Sequence, residues 1–352
     1  MIKLGVIGSG TVLKWHILGM EGNEGVCAGA VASEDEETGR AACERLGANY
    51  YKTAAEMFHG ERDLDGILNL TPNHLHTETC LEAIDAGFRF ILCEKPLGVD
   101  ISRTRALVEK AAAAGTQLQV GYMKRFNPGF QKVKEALSVL GDIDFVNFTT
   151  IESGAANQAS QRDASSPWKT DPVLSGGGNL THVGSHDIDF LRFLFGDIDH
   201  VACKLKRDMA GAPEYYANAV IAFKCGVDAN MRISRMDVPD LGPDWGIFQG
   251  GWNEYIEVAG ENGYIRAANA SWEGLGPIRV TSWFKGEPGP KEEYFSSDLQ
   301  WANEMGAFIK GIGQGKLVPE AATAWDAYYV DFTVQKMRRS DEQGGARIYI
   351  EE

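Results

Sequence analysis

Over its first 122 residues the chain alternates short apolar runs with longer mixed stretches, and this alternation restricts the fold more than any other feature. The apolar runs are IKLGVIG, VCAGAVA, GILNL, FRFILC and QLQVGY. Between them lie ETGRAACERLG, TETCLEAIDAG and ISRTRALVEKAAAAG, each closed by a glycine suited to a helix C-terminus. Strands buried on both faces read as unbroken apolar runs, and their alternation with helices predicts a doubly wound parallel sheet.

A helix near 128–140 ends that pattern, and strand-like segments follow: IDFVNFTTI, HVACKLKR, YANAVIAFK, VDANMRISR, EYIEVAG and GYIRAA. VDANMRIS alternates strictly, with Val227, Ala229, Met231 and Ile233 on one side and Asp228, Asn230, Arg232 and Ser234 on the other. Such strands predict a large, mostly antiparallel open sheet with unlike faces, one packed on helices and one free to meet a second copy of the chain. AATAWDAYYVDFTVQKMRR reads as a late helix that can pack back on the first domain. The expected organisation is an α/β domain over 1–122 and an α+β domain over 123–352, with a cleft between them.

Charge and cysteine usage narrow the partners. A net charge of −15 argues against nucleic acid or acidic membrane surfaces, because binding phosphates needs clustered Lys and Arg. No segment approaches the roughly 18 apolar residues of a membrane helix, and MIKLGVIGSG lacks the features of a secretory leader. The six cysteines form no CxxC pair. Free buried thiols in a reducing, cytoplasmic setting are expected.

GVIGSGTVLKWH places Gly8 and Gly10 directly after the first strand. Glycines there let the backbone approach a pyrophosphate that the following helix N-terminus attracts. The predicted dinucleotide turn is Gly8, Ser9, Gly10, Thr11, Val12 and Leu13, with Leu13 where GxGxxG has its third glycine. An ordinary strand–helix turn would look similar. After the second strand, ASEDEE puts Ser33 and Glu34 where the adenosine ribose would lie. Acids there repel a 2′-phosphate and favour NAD over NADP.

In a doubly wound domain the carboxyl ends of the strands form the ligand crevice. NLTPNHLH and CEKPLG occupy two such ends, so Thr71, Pro72, Asn73, His76, Glu94 and Lys95 are expected to border the cofactor. His76 either edges the pocket or caps the helix that follows, and Glu94 anchors its own turn. Lys95, partly desolvated near a nicotinamide ring, is suited to exchanging a proton. A salt bridge at a strand end would leave the same residues.

Taken together, GVIGSGTVLKWH, TPNHLHTETCLEAIDAG, CEKPLG, GYMKRFNP, PWKTDPVLSGGGNLTHVGSHDIDFLRFLFG and RRSDEQGG resemble the glucose–fructose oxidoreductase/inositol dehydrogenase (Gfo/Idh/MocA) family, in order and over nearly the whole chain. The resemblance implies an N-terminal Rossmann domain and a sheet-rich second domain that often builds oligomers, here a dimer or tetramer. It implies NAD(P)-dependent oxidation or reduction of sugars or cyclitols, and a cis Lys95–Pro96 peptide. It carries Arg125 and Trp168 over as cleft residues that meet substrate, and His186 as the histidine that contacts the reacting hydroxyl. The position of His182 usually holds aspartate, a departure that leaves substrate contact, proton transfer and packing all open for His182.

Spacing alone puts His182, His186 and Asp189 at i, i+4 and i+7 on one helical face. Two histidines at i, i+4 also match metal-ligand spacing, but no further ligand cluster accompanies them and no metal is expected. The expected activity is oxidation, or the reverse reduction, of a secondary hydroxyl on a sugar, glycoside (C3 of a glucoside is one case) or cyclitol. Lys95 acts as acid/base, assisted by His186 and His182. Two other classes fit the same residues: a lyase or isomerase with transient redox by bound NAD or a metal, and a catalytically silent nicotinamide-bound regulator.

Overall fold

The parallel sheet expected from the N-terminal alternation is present, in the strand order β3-β2-β1-β4-β5-β6. The structure, a computed structural model, describes residues 1–153, 167–209, 211–236, 252–269, 277–297 and 299–351. Its strands are β1 (Ile2–Ile7), β2 (Val26–Ala32), β3 (Asn49–Tyr51), β4 (Gly66–Asn69), β5 (Phe90–Cys93) and β6 (Gln117–Val120). The helices are α1 (Leu13–Glu21), α2 (Glu36–Leu46), α3 (Ala54–Gly60), α4 (His76–Asp85) and α5 (Ile101–Ala114). The strand order reverses between β1 and β4, which makes their carboxyl ends the switch point where such sheets bind ligands. β3 and α3 complete the edge and were not among the expected elements.

The second sheet has nine strands in the order β14-β13-β12-β11-β7-β10-β9-β8-β15. These are β7 (Ile143–Ser153), β8 (Ile198–Arg207), β9 (Glu214–Phe223), β10 (Asp228–Met236), β11 (Trp252–Gly260), β12 (Gly263–Asn269), β13 (Pro277–Phe284), β14 (Lys291–Ser296) and β15 (Ile348–Tyr349). Its helices are α6 (Pro128–Leu140) and α7 (Ser185–Phe195). Two more helices close the chain, α8 (Leu299–Gln314) and α9 (Ala324–Glu342). The sheet is antiparallel except between β7 and β10, which run parallel.

One row of paired residues shows why the sheet has unlike faces. Ala219, Met231, Phe148, Ile256, Ala267 and Val280 lie in register across six strands, and all are buried. Phe148 meets Phe130 of α6 and Phe190 of α7 edge-on, and those two rings are tilted against each other, so the helices cover this face. Such aromatic contacts add to the burial energy, since the positive edge of one ring meets the negative face of another. The opposite face carries Phe145, Val220, Trp283 and Tyr294, all substantially exposed.

The chain divides into two compact units. The first comprises Met1–Met123, Val173–Gly176 and Trp301–Asp331; the second comprises Lys124–Pro172, Gly177–Gln300 and Phe332–Glu352. The first unit therefore takes most of α8 and the opening turns of α9. Met305 and Phe308 of α8 pack in its core with Leu4, Val6, Leu68 and Leu92.

Candidate active site

Gly8 ends β1 with φ +102°, and a Cβ there would stand 2.5 Å from the Leu70 carbonyl oxygen. Only glycine allows both that backbone conformation and the tight approach of β1 to the end of β4. Nothing lies within 4 Å of the place a Cβ would occupy on Gly10. The start of α1 differs from its neighbours. Asp35 caps α2, Thr53 caps α3 and Asp100 caps α5, each accepting from a backbone N–H. The N-cap residues of α1 and α4 make no side-chain cap hydrogen bond; α4 has Glu78 in its first turn, whereas that of α1 holds no acidic residue. An uncapped helix start beside an open glycine turn fits a dinucleotide pyrophosphate, which supplies the negative charge the helix end favours. Leu13 turns its side chain into the core, so only its backbone faces the turn.

At the end of β2, Ser33 Oγ and Ser9 Oγ are 2.7 Å apart, and Ser9 Oγ is also 2.7 Å from Thr38 Oγ1. This hydroxyl cluster occupies the expected ribose position. Glu34 is exposed, and Asp35 is engaged as the α2 cap. An arginine also stands near: Arg40 pairs with Glu36 at 2.7 Å and lies over the Tyr50 ring.

The turn after β4 is braced from within. Thr71 donates through its hydroxyl to Asn69 Oδ1, and Asn73 donates its side-chain amide to the Ser175 carbonyl. His76 is buried, with Nδ1 2.6 Å from the Pro96 carbonyl oxygen and Nε2 2.7 Å from that of Thr71. Its ring therefore ties the Thr71 turn to the Lys95–Pro96 turn and is not a helix cap. Burial lowers its pKa, against the two carbonyls and the charge of Glu94. A neutral ring donates to one of the two carbonyls, a protonated ring to both.

Lys95 follows β5 directly and is half-buried, and the Lys95–Pro96 peptide is cis. Its neighbour Glu94 is buried, with Oε1 accepting from His16 Nε2 at 2.8 Å and Oε2 accepting the Lys95 backbone N–H at 3.2 Å. Burial pushes the Glu94 carboxyl up, but His16, Lys95 and His76 together bring it below its ordinary value. Glu94 thus anchors the turn, and His16, absent from the expected set, is its partner. His16 was visible as a polar residue inside the apolar run of α1. Glu94 lies 78 positions away in the chain, so no local pattern links the two.

In the second unit, the stretch carrying the histidines does not form one regular helix. Leu180–Gly184 makes a wider π-type turn before α7 begins at Ser185. Ser185 Oγ takes the Thr181 carbonyl that a regular helix would give to the Ser185 N–H. His182 sits in this turn and is half-buried; His186, in the first turn of α7, is buried. The π-type turn interrupts the regular helical spacing expected from His182 onward; within α7, His186 is followed three residues on by Asp189. Its two oxygens accept from Arg125 Nε at 2.8 Å and a terminal Arg125 nitrogen at 2.7 Å, both residues being buried. Through this pair Arg125, expected to meet substrate, holds α7 from within.

A second anchor lies beside the first. Lys124 donates to Asp187 Oδ1 at 2.5 Å and pairs with Glu254, while Thr150 donates to Asp187 Oδ2. Asn269 donates to the other Glu254 oxygen. Burial opposes the Lys124 ammonium, yet the two carboxylates hold its pKa above the ordinary value. Burial and the charge of Glu254 push Asp187 up to about 6, against the pull of Lys124. None of Lys124, Asp187 and Glu254 was singled out from the sequence. Trp168 is half-buried, with the Lys169 ammonium 6.0 Å from its ring centre. Among the described residues no group of three or more His, Cys, Asp and Glu side chains is placed to hold a metal ion. The aromatic, glycine-rich stretch over 242–255, singled out as a contact loop, lies largely outside the described residues.

A strand-order switch point with an open glycine turn beside it fits a dinucleotide-binding domain. The chain belongs to the Gfo/Idh/MocA family: residues 2–122 match its "oxidoreductase family, NAD-binding Rossmann fold" domain and residues 130–266 its C-terminal domain. It is 24% identical over 327 residues to inositol 2-dehydrogenase of Rhizobium meliloti, covering 89% of each chain. The structure of levoglucosan dehydrogenase with NADH and levoglucosan shares the fold over all of both chains, with a TM-score of 0.81 at 19% identity. The WlbA dehydrogenase of Bordetella pertussis, solved with NADH and UDP-GlcNAcA, gives 0.82 at 19% identity over 100% of this chain and 98% of that one. No described helix is long and apolar enough to cross a membrane.

Proposed function

We propose that this protein is an NAD-dependent dehydrogenase that oxidises a secondary hydroxyl of a sugar, glycoside or cyclitol, or reduces the corresponding ketone. C3 of a glucoside is one target within that class. The observation that carries the reading is Lys95 on a turn fixed by Glu94 and His76 at the carboxyl end of β5. NAD, held by Gly8–Leu13 and the hydroxyls of Ser9 and Ser33, supplies a hydride acceptor when bound. Lys95 removes the hydroxyl proton in oxidation and returns it in reduction. His186 holds the same hydroxyl, and His182 binds or polarises a neighbouring one. Trp168 offers an aromatic face to the apolar side of a ring. The rate enhancement comes largely from orientation, because proton and hydride leave the same carbon–oxygen unit.

NAD is preferred to NADP in this reading because Glu34, Asp35 and Glu36 stand beside the ribose cluster; the Glu36 pair also keeps Arg40 occupied. The exposed apolar residues on the open sheet face support a homo-oligomer through that face, which sedimentation velocity would reveal. The names of the relatives support the substrate class. The test is NADH fluorescence of the purified protein with a panel of aldoses, glucosides, cyclitols and their ketones, repeated with NADP. A substrate-dependent rise that favours NAD is expected. No rise across the panel with NAD binding intact overturns the proposal, and a stronger rise with NADP overturns the cofactor preference.

A further inference from the structure

Buried carboxylates are expensive unless something holds their charge. Glu94 is 6% exposed, and its carboxylate also acts on the buried thiol of its neighbour Cys93. His16 of α1 meets Glu94 directly, His76 of α4 and Lys95 of its own turn act on it through their charge, and Gly121 follows β6 beside it. A Cβ on Gly121 would stand 3.2 Å from the Glu94 carboxyl group, so the glycine leaves room for it. His16 gives Glu94 a side-chain hydrogen bond, at 2.8 Å. His16 is itself 2% exposed and fixed, its ring edge-on to Trp301, which stacks on Trp15. It sits one turn into the helix whose start follows the dinucleotide turn.

We propose that His16 is a positioning residue for the acid–base lysine: through Glu94 it fixes the Lys95 turn and keeps a negative charge beside it. The proposal rests on the role given to Lys95 above. It makes α1 serve two ends, its N-terminus facing the dinucleotide and its first buried turn holding the base. Without His16, burial dominates and Glu94 takes up a proton at higher pH. The Lys95 ammonium then loses a stabilising neighbour and gives up its proton at lower pH. Oxidation needs neutral Lys95, so the rising limb of kcat against pH moves down.

The experiment compares wild type, His16→Phe, His16→Gln, Glu94→Gln and Lys95→Ala, all as full chains. Readouts are kcat–pH profiles with NAD and the active panel substrate, NAD affinity, and a ¹³C carboxyl NMR titration of Glu94. His16→Phe should lower kcat about 10- to 100-fold, the scale of a misplaced catalytic group. The Glu94 titration should move up, the kcat limb should move down by about half a unit or more, and NAD affinity should change little. His16→Gln, which still offers an N–H donor, should recover most of the rate, and Glu94→Gln should reproduce the shifted limb. An unmoved Glu94 titration in His16→Phe overturns the proposal, as does an unmoved limb with a rate loss that merely follows Tm. If Glu94 titrates as expected but Lys95→Ala keeps its turnover, the coupling of His16 to Glu94 stands and the role of Lys95 fails.

Discussion

The Lys95 turn and the His186 helix are both held by buried charge, but by different kinds. In the first unit one carboxylate, Glu94, relies on a histidine and a backbone N–H. In the second, α7 is held by Lys124 and Arg125, whose cations persist at any physiological pH, through Asp187 and Asp189. The second arrangement also contains an imbalance, since Lys124 faces two carboxylates. A buried pair broken on one side leaves an uncompensated charge, so the two regions should respond to mutation and to pH in different ways.

The largest difference should come from Lys124→Met, which leaves Asp187 and Glu254 facing each other without a cation. A loss of about 3–5 kcal/mol in unfolding free energy is expected, read from the denaturant midpoint. A loss no greater than that of His16→Phe would erase the contrast. For His16→Phe the expected cost is smaller, about 1–3 kcal/mol, because the orphaned Glu94 can take up a proton.

Acid sharpens the comparison further. Asp187 is raised from an ordinary carboxyl value to about 6, so the folded state binds a proton more readily than the unfolded one. Its contribution is fully present below the unfolded value and is lost as pH rises through about 6. Between pH 7 and pH 5 wild type should therefore gain on the order of 1 kcal/mol that Asp187→Asn does not. Glu94 has the opposite sign: its pKa is lowered, and its contribution holds above the ordinary carboxyl range and fades below it. Identical pH profiles for wild type and Asp187→Asn would show that the proton is not held there. The smallest effect is expected for Asp35→Ala, which removes the α2 cap at a cost of about 1 kcal/mol.

Much of the framework was readable from local pattern. The helix over Pro128–Leu140 and the alternation of Ala229, Met231 and Ile233 appear as expected, because period and burial agree there. β14 was not legible: its side chains are mostly exposed, so no apolar alternation marks it. α8 was obscured by Gly306, Gly311 and Gly313 within an otherwise amphipathic run. The site divided along the same line. Gly8 and the Lys95 turn announce themselves by sequence context, whereas Lys124, Asp187 and Glu254 come together only when distant strands and helices pack. Arg125 was singled out from the sequence, but its pairing with Asp189, 64 positions away, is a property of the fold.

The most direct test of the central claim is the turnover of Lys95→Ala beside wild type on the substrate identified by the panel, with NAD affinity measured separately. The account predicts a fall of about 10²–10⁴ in kcat, the usual cost of losing a general acid–base group, with NAD affinity nearly unchanged. Turnover close to wild type would contradict it and remove Lys95 from the chemistry.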